Sequence, residues 1–409
     1  MRQRRSASQR STTEWIARAF LAAIAATLGY VAVTRTLAYA LRKGNIELAH
    51  TLAPGDGRIT GLLAGSFVGA DSTAVSRARA DQLAQAALRQ DPTVVAAVFS
   101  LGLNAQVRND TNYARRLFTY AGLLSRRDIN TQLWAIEDAV SRGDVNGAVS
   151  HYDIALRTSR TSGDLLFPIL AGAITDPAIR RSLTKTLILR PSWAPAFINY
   201  AAVRGPDPRA TARLLMEVRK AGIPVSGGAS AEVINLLLFS RFVDDAWSYY
   251  SSIHPGVERH RSRDPKFANA GASPSPFDWN TVNDAGISSS VQQGENGGVF
   301  DFAVAASVGG LLLHQQQLLS TGEYQLEGHS SGIDQSDEAL PYWVLTCSSG
   351  RELGRIVVPN SNQTDGRFTG RFSVPPGCPS QSLSLISRPS DKVSGVSGQL
   401  DRVQLSPIS

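Results

Sequence analysis

Residues 148–156 read Ala-Val-Ser-His-Tyr-Asp-Ile-Ala-Leu, and the spacing within them sets the fold of the longest region of the chain. Ala148, Tyr152, Ala155 and Leu156 share one face at a 3.6-residue period, which predicts an amphipathic helix. The polar turn Ser141-Arg142-Gly143-Asp144 precedes it, and Leu133, Trp134 and Ile136 begin the helix it pairs with. Upstream the pattern recurs. Ala80, Leu83, Ala84, Ala87 and Leu88 form a helix stopped by Asp91-Pro92. Val94 to Val107 carries Val95, Val98, Phe99 and Leu103, then the turn Arg108-Asn109-Asp110 leads into Tyr113 to Leu124 with Ala114, Leu117, Phe118 and Ala121. Second helices end near Leu88, Leu124, Leu156 and Leu187, at separations of 36, 32 and 31. Downstream pairs follow at Pro195 to Val203 with Arg209 to Ala221, and at Ala231 to Phe239 with Val243 to Ile253. One apolar stripe means only a core-facing helix. Successive pairs joined by short turns predict an α-helical solenoid over residues 71–256, whose concave surface suits a protein segment.

These residues, 148–156 above all, resemble the tetratricopeptide pattern.

Ala19 to Thr34, AFLAAIAATLGYVAVT, contains no charged residue and is bounded by Arg18 and Arg35. As a helix it spans roughly 24 Å, short of the ~30 Å hydrocarbon core. Flanking residues from Ile16 to Leu41 extend it, and both arginines can snorkel. This predicts a membrane span over 15–41, a cytoplasmic tail over 1–14 and a connector over 42–70. Arg2, Arg4, Arg5 and Arg10 outweigh Glu14 on the amino side, which favours a cytoplasmic N-terminus and an exported remainder. A cleaved signal peptide ending at Ala38-Tyr39-Ala40 is the rival reading, against which Arg35 stands between the apolar core and that site. Either way the rest leaves the cytoplasm.

The net charge of +7 would raise the question of nucleic acid, but residues 1–43 hold eight Arg or Lys against one acid and account for all of it. The exported part is neutral, so no electrostatic case for a nucleic-acid partner remains. The excess suits the anionic leaflet of a lipid bilayer.

From Val257 to Pro276, mixed charge gives way to small residues and two prolines, which predicts an extended linker over 257–276 and a hinge. Beyond it the period becomes two. Short runs such as Tyr324-Gln-Leu326, Tyr342 to Cys347, Arg367 to Val374, Ser382 to Ile386 and Leu400 to Leu405 alternate between turn signals such as Asp365-Gly366 and Pro375-Pro-Gly377. About eight strands predict an antiparallel β-sandwich over 277–409.

Pro276-Phe277-Asp278-Trp279, Gly322-Glu-Tyr324, Tyr342-Trp343 leading to Cys347, Phe372 to Pro375 with Cys378, and Gly398 to Leu405 together look like a jelly roll. The set resembles the carbohydrate-binding-module-like, galactose-binding-like domain that ends a group of bacterial envelope proteins with tetratricopeptide repeats. Several of these are associated with exopolysaccharide production and export. The resemblance implies a Cys347–Cys378 disulfide, for which chain entropy gives ~3 to 4 kcal/mol. It also implies an address in the bacterial inner membrane, single-pass, with the bulk periplasmic. It carries no catalytic residue.

Sugar binding asks for an exposed aromatic ring beside amides or carboxylates. Trp279, Tyr324, Tyr342 and Trp343 are the candidates, with core packing the competing role for each. Alternation sets Tyr342 and Trp343 on opposite faces.

Gly328-His329-Ser330-Ser331-Gly332 matches the nucleophile elbow of esterases, which needs a strand-to-helix turn with an acid and a histidine downstream. No histidine follows His329, so the motif reads as a turn. His50, His151, His254, His260 and His314 form no ligand cluster, and Asp334, Asp337 and Glu338 lack calcium-loop spacing. No cofactor and no metal are expected. The sequence therefore predicts a non-enzymatic, membrane-anchored scaffold or assembly factor of the envelope, with envelope proteins on its repeat surface. Two alternatives stand beside it: a glycan-binding module that retains polysaccharide, and a serine hydrolase using Ser330.

Overall fold

The structure is a computed structural model; it describes residues 12–69, 71–159, 161–269, 271, 273–294 and 297–408. Most of the expected tail 1–14, and the first two residues of the turn at 295–298, lie outside them. The chain divides into two compact units, 1–162 and 163–409.

Helices build the first unit: α1 (Thr12–Leu41), α2 (Ile46–Leu52), α3 (Gly57–Ser66), α4 (Ala74–Gln90), α5 (Val95–Val107), α6 (Thr111–Leu124), α7 (Ile129–Ser141) and α8 (Val145–Thr158). One turn design joins α5 to α6 and α7 to α8. Asn109 (φ 62°) and Gly143 (φ 70°) take the left-handed conformation, and the next amide reaches back five residues, Asp110 to the Ala105 carbonyl and Asp144 to that of Ala139. This closes the first helix. The same aspartate then caps the next one, Asp110 accepting from the Tyr113 amide and Asp144 from that of Gly147. Three residues thus end one helix and start its partner, which is why the polar turns were legible. Phe118, buried, stacks on Trp134 at 4.1 Å between ring centroids and links the two hairpins.

The expected connector 42–70 is different in the structure. Asn45 and Asp56 cap α2 and α3, and Ile59 and Ala64 are fully buried. Helices of seven and ten residues give too few periodic positions to be read, yet the small residues of α3 allow close packing, as at Gly61 against Val94.

The second unit opens with α9 (Ser162–Ala173), α10 (Pro177–Ile188), α11 (Ala194–Arg204), α12 (Pro208–Lys220), α13 (Gly227–Phe239) and α14 (Val243–Ile253). Asp176 and Asp207 cap α10 and α12, keeping the aspartate spacing of the first unit.

Ten strands follow among the described residues: β1 (Asn280–Thr281), β2 (Ile287–Gly294), β3 (Gly297–Val304), β4 (Gly310–Gln317), β5 (Gly322–Ser331), β6 (Tyr342–Cys347), β7 (Glu352–Val357), β8 (Arg367–Val374), β9 (Gln381–Ser387) and β10 (Val396–Pro407). They form two antiparallel five-stranded sheets, ordered β1-β4-β9-β6-β7 and β2-β3-β10-β5-β8. Alternate residues such as Phe300, Phe302, Leu326, Trp343, Leu345, Leu383 and Leu405 meet in one core. The molecule is therefore an apolar N-terminal helix, a tetratricopeptide-like helical region and a C-terminal β-sandwich.

The expected linker and hinge at 257–276 is overturned. The Ser262 amide donates to the Leu405 carbonyl at 2.9 Å, and the Val403 amide to that of Pro265 at 2.9 Å. This segment thus continues the sheet beside β10 beyond the end of its β3 pairing. Phe267 enters the sandwich core. Arg263, 4% exposed, donates to the carbonyls of Phe277 and Gln316 and lies over the Trp247 and Phe277 rings. Burial pulls its pKa down to about 10, so it stays charged at neutral pH. Tyr250 of α14 donates to Asp278 at 2.8 Å, and burial first, then the Asp278 charge, pushes its hydroxyl pKa up. Composition suggests an untethered segment because nearly every residue from Glu258 to Asp264 is polar or charged, whereas Ser262 and Arg263 are buried by hydrogen bonds to distant parts of the sandwich.

Candidate functional site

Three of the four candidate rings lie inside the sandwich. Trp343 is fully buried, Tyr324 1% exposed and Trp279 8% exposed. Trp279 Nε1 donates to the Asp264 carbonyl at 2.9 Å, and the Tyr324 hydroxyl meets Ser320. A ring packed on both faces cannot stack on a pyranose, so their glycan role is corrected to core packing. Tyr342 is half-buried, as alternation implied, but the guanidinium carbons of Arg355 and Arg388 stand 4.9 and 4.8 Å from its ring centroid. Its exposed surface is already occupied by cations.

Ser330 does not sit on an elbow, nor in the turn expected of its motif. Residues 328–331 belong to β5, and Ser330 is 1% exposed, with Oγ 3.3 Å from both Ser361 Oγ and the Gly366 carbonyl. His329 is its chain neighbour in the strand and so faces the opposite side of the sheet. It pairs with Asp401 at 2.8 Å instead.

Cys347 and Cys378 form the implied disulfide, with Cα atoms 5.7 Å apart. It ties the end of β6 to the segment before β9. The histidines are dispersed: His50 meets Thr60, His151 meets Gln132, His254 stacks on Tyr250, and His260 meets the Leu318 carbonyl. Among the described residues no group of three or more His, Cys, Asp or Glu is placed to hold a metal ion.

Strand register assembles a polar surface that the sequence did not single out. Across β10, β5 and β8, Arg402 pairs with His329 and His329 with Arg367; Gln404, Glu327 and Thr369 form the next row; Ser406, Gln325 and Arg371 the third. Neighbouring strands lie ~4.8 Å apart, so this is a grid of donors and acceptors. A depression of about 580 Å³ opens on it, with Phe368 and Gly328 in its wall. Any side chain at Gly328 would collide with the Phe368 ring. Gln325 donates to Glu327 at 2.6 Å. Among the described residues Arg367 and Arg402 form no ion pair. Guanidinium forks, a carboxylate and an amide together can hydrogen-bond a polyhydroxylated molecule. Outward polar positions at period two were the available signal, but register alone brings separate strands into rows.

At the other end of the chain, α1 has 30 residues and is long and apolar enough to cross a membrane. Phe20, Leu28 and Tyr30 on it are each more than 60% exposed. Ala38 is the exception, fully buried in a cluster with Ala49, Ala53 and Ile59.

No family model matches the chain, and no curated protein matches it significantly. Among solved structures it is similar in part to the CBM22-1 xylan-binding domain of Paenibacillus barcinonensis Xyn10C, at 14% identity over 36% of this chain and 92% of that one, TM-score 0.25. It is also similar to Pseudomonas aeruginosa pilF, at 14% identity over 56% and 94%, TM-score 0.27. The enzymatically active domain of bacteriophage CBA120 tailspike protein 4 matches at 10% identity over 32% of this chain, TM-score 0.23, and the match spans only 19% of that chain. At these scores the likenesses stand as partial similarities only.

Proposed function

We propose that this chain is a non-enzymatic scaffold anchored in a bacterial inner membrane by α1, its N-terminus cytoplasmic and its bulk periplasmic, serving exopolysaccharide production or export. The observation that carries the reading is the burial of Ala38 with Ala49, Ala53 and Ile59. Processing after Ala40 would remove Ala38 from that cluster, so packing favours retention of the helix over its cleavage. A helix that is apolar and exposed along its first part and packed at its far end fixes α2 and α3 at the bilayer surface. The Cys347–Cys378 bond suits an oxidising compartment. Fusion of alkaline phosphatase and of a cytosol-only fluorescent reporter to the C-terminus tests the topology. Phosphatase activity with an unprocessed N-terminus by mass spectrometry is expected; a mature chain starting near residue 41, or cytosolic fluorescence, overturns it. Loss of secreted polysaccharide on deletion, restored by the intact gene, is expected for the exopolysaccharide role.

The polar rows on β10, β5 and β8 favour a second reading, in which the sandwich itself grips glycan. Retention of the full chain on immobilised polysaccharide, abolished by Arg367→Ala with Arg402→Ala, would support it. Unchanged retention in that variant would reject this surface.

A further inference from the structure

The groove bounded by α6, α7 and α8 in the first unit is basic, concave and floored by apolar side chains, and nothing described so far uses it. We infer that it docks an acidic segment of a partner polypeptide carrying a large apolar side chain. The inference rests on the scaffold reading and names the chemistry of one partner.

The cavity measures about 570 Å³. Its lining includes Arg115, Arg126 and Arg142, against one acid, Asp138. Asp138 binds both Arg115, at 2.7 Å, and Arg142, at 3.1 Å. The hydrogen bond from Arg115 first, and that from Arg142 after it, hold its carboxyl below the usual carboxylate range. Asp144 also stands 3.9 Å from Arg142, so the two carboxylates balance Arg115 and Arg142 and fix both cations before a ligand arrives, which lowers the ordering cost of binding, and the excess positive charge of the groove is that of Arg126. Arg126 is exposed and, like its neighbours Arg116 and Arg127, forms no ion pair among the described residues. His151 adds no charge at neutral pH, because burial pushes its pKa down.

The apolar part decides between partners. Leu123, 81% exposed, stands on the rim of the groove, and the half-buried Trp134, Ala135 and Ile154 form the floor behind it. A flat anionic bilayer would meet the rim arginines but not this recessed floor. An extended acidic peptide satisfies both, with carboxylates on the arginines and one apolar side chain on the floor.

The test is panning of a random peptide display library on the full chain in detergent micelles, beside binding to phosphatidylglycerol vesicles. Leu123→Ser and Arg126→Glu alter exposed side chains, so both variants should keep the parent's melting profile. Enrichment of Asp/Glu-rich peptides with Leu or Phe is expected, weakened about tenfold by each substitution and further by salt. No enrichment, enrichment of non-acidic peptides, or binding indifferent to both substitutions overturns the proposal. Vesicle binding lost in the same variants without peptide enrichment assigns the groove to lipid and also overturns it. Any of these failures with a periplasmic C-terminus leaves the anchored scaffold standing.

Discussion

Trp279 and Trp343 pack with ring centroids 5.8 Å apart in one core, yet they are held differently. The Trp279 indole N–H donates to the Asp264 carbonyl, whereas the buried Trp343 Nε1 has no partner among the described residues. Trp→Phe removes similar volume at both positions but strands a carbonyl only at 279. Trp279→Phe should therefore cost more than Trp343→Phe, by about 1–2 kcal/mol, read by denaturant unfolding of the full chain. Equal losses would show that the Asp264 contact contributes nothing. The same pair explains why ring chemistry misled as a guide to sugar. Alternation sets Tyr342 and Trp343 on different faces, but which face meets the second sheet depends on contacts between residues as far apart as 143 positions, as with Ser262 and Leu405.

The hairpin turn, the sheet and the disulfide behave as elements with separable stabilities. Asp144→Ala removes the cap of α8 while leaving Gly143 to close α7, so a loss of about 1 kcal/mol is expected, measured by thermal melting followed by circular dichroism. Reduction of Cys347–Cys378, whose partners lie 31 positions apart, should cost ~3 to 4 kcal/mol and lower the unfolding midpoint of the sandwich; an unchanged midpoint in dithiothreitol would contradict this. His314 on β4 has its pKa pushed below 6.5 by burial. The unfolded chain then takes up a proton first as pH falls, so this contribution is complete above about pH 6.5 and is lost as pH descends through the folded pKa. Unfolding midpoints should fall between pH 7 and 5, and His314→Gln should flatten that slope. Turn chemistry was the most legible element in the sequence, because Asn109-Asp110 and Gly143-Asp144 each act through backbone geometry that two residues dictate.

For the whole molecule, α1 shares a core at Ala38 with the short helices α2 and α3. A chain beginning near residue 36 should keep that cluster while losing membrane attachment; one beginning at residue 44 should in addition lose thermal stability of the first unit, measured by differential scanning fluorimetry. Equal melting of the two would show that α1 is only a tether. Local order determined the greater part of this architecture: the charge-free run from Ala19 to Thr34, the repeating apolar spacing around residue 148, and period-two alternation beyond Tyr324 each follow from neighbours a few positions apart. Tertiary structure alone decided that Arg263 and Phe267 belong to the sandwich and that Arg402, His329 and Arg367 stand in one row. It also decided that Arg115 and Arg142 converge on Asp138. Secondary structure is encoded by short periods that a single chain displays, whereas burial and juxtaposition depend on strand register and helix packing, which bring together residues that share no local pattern.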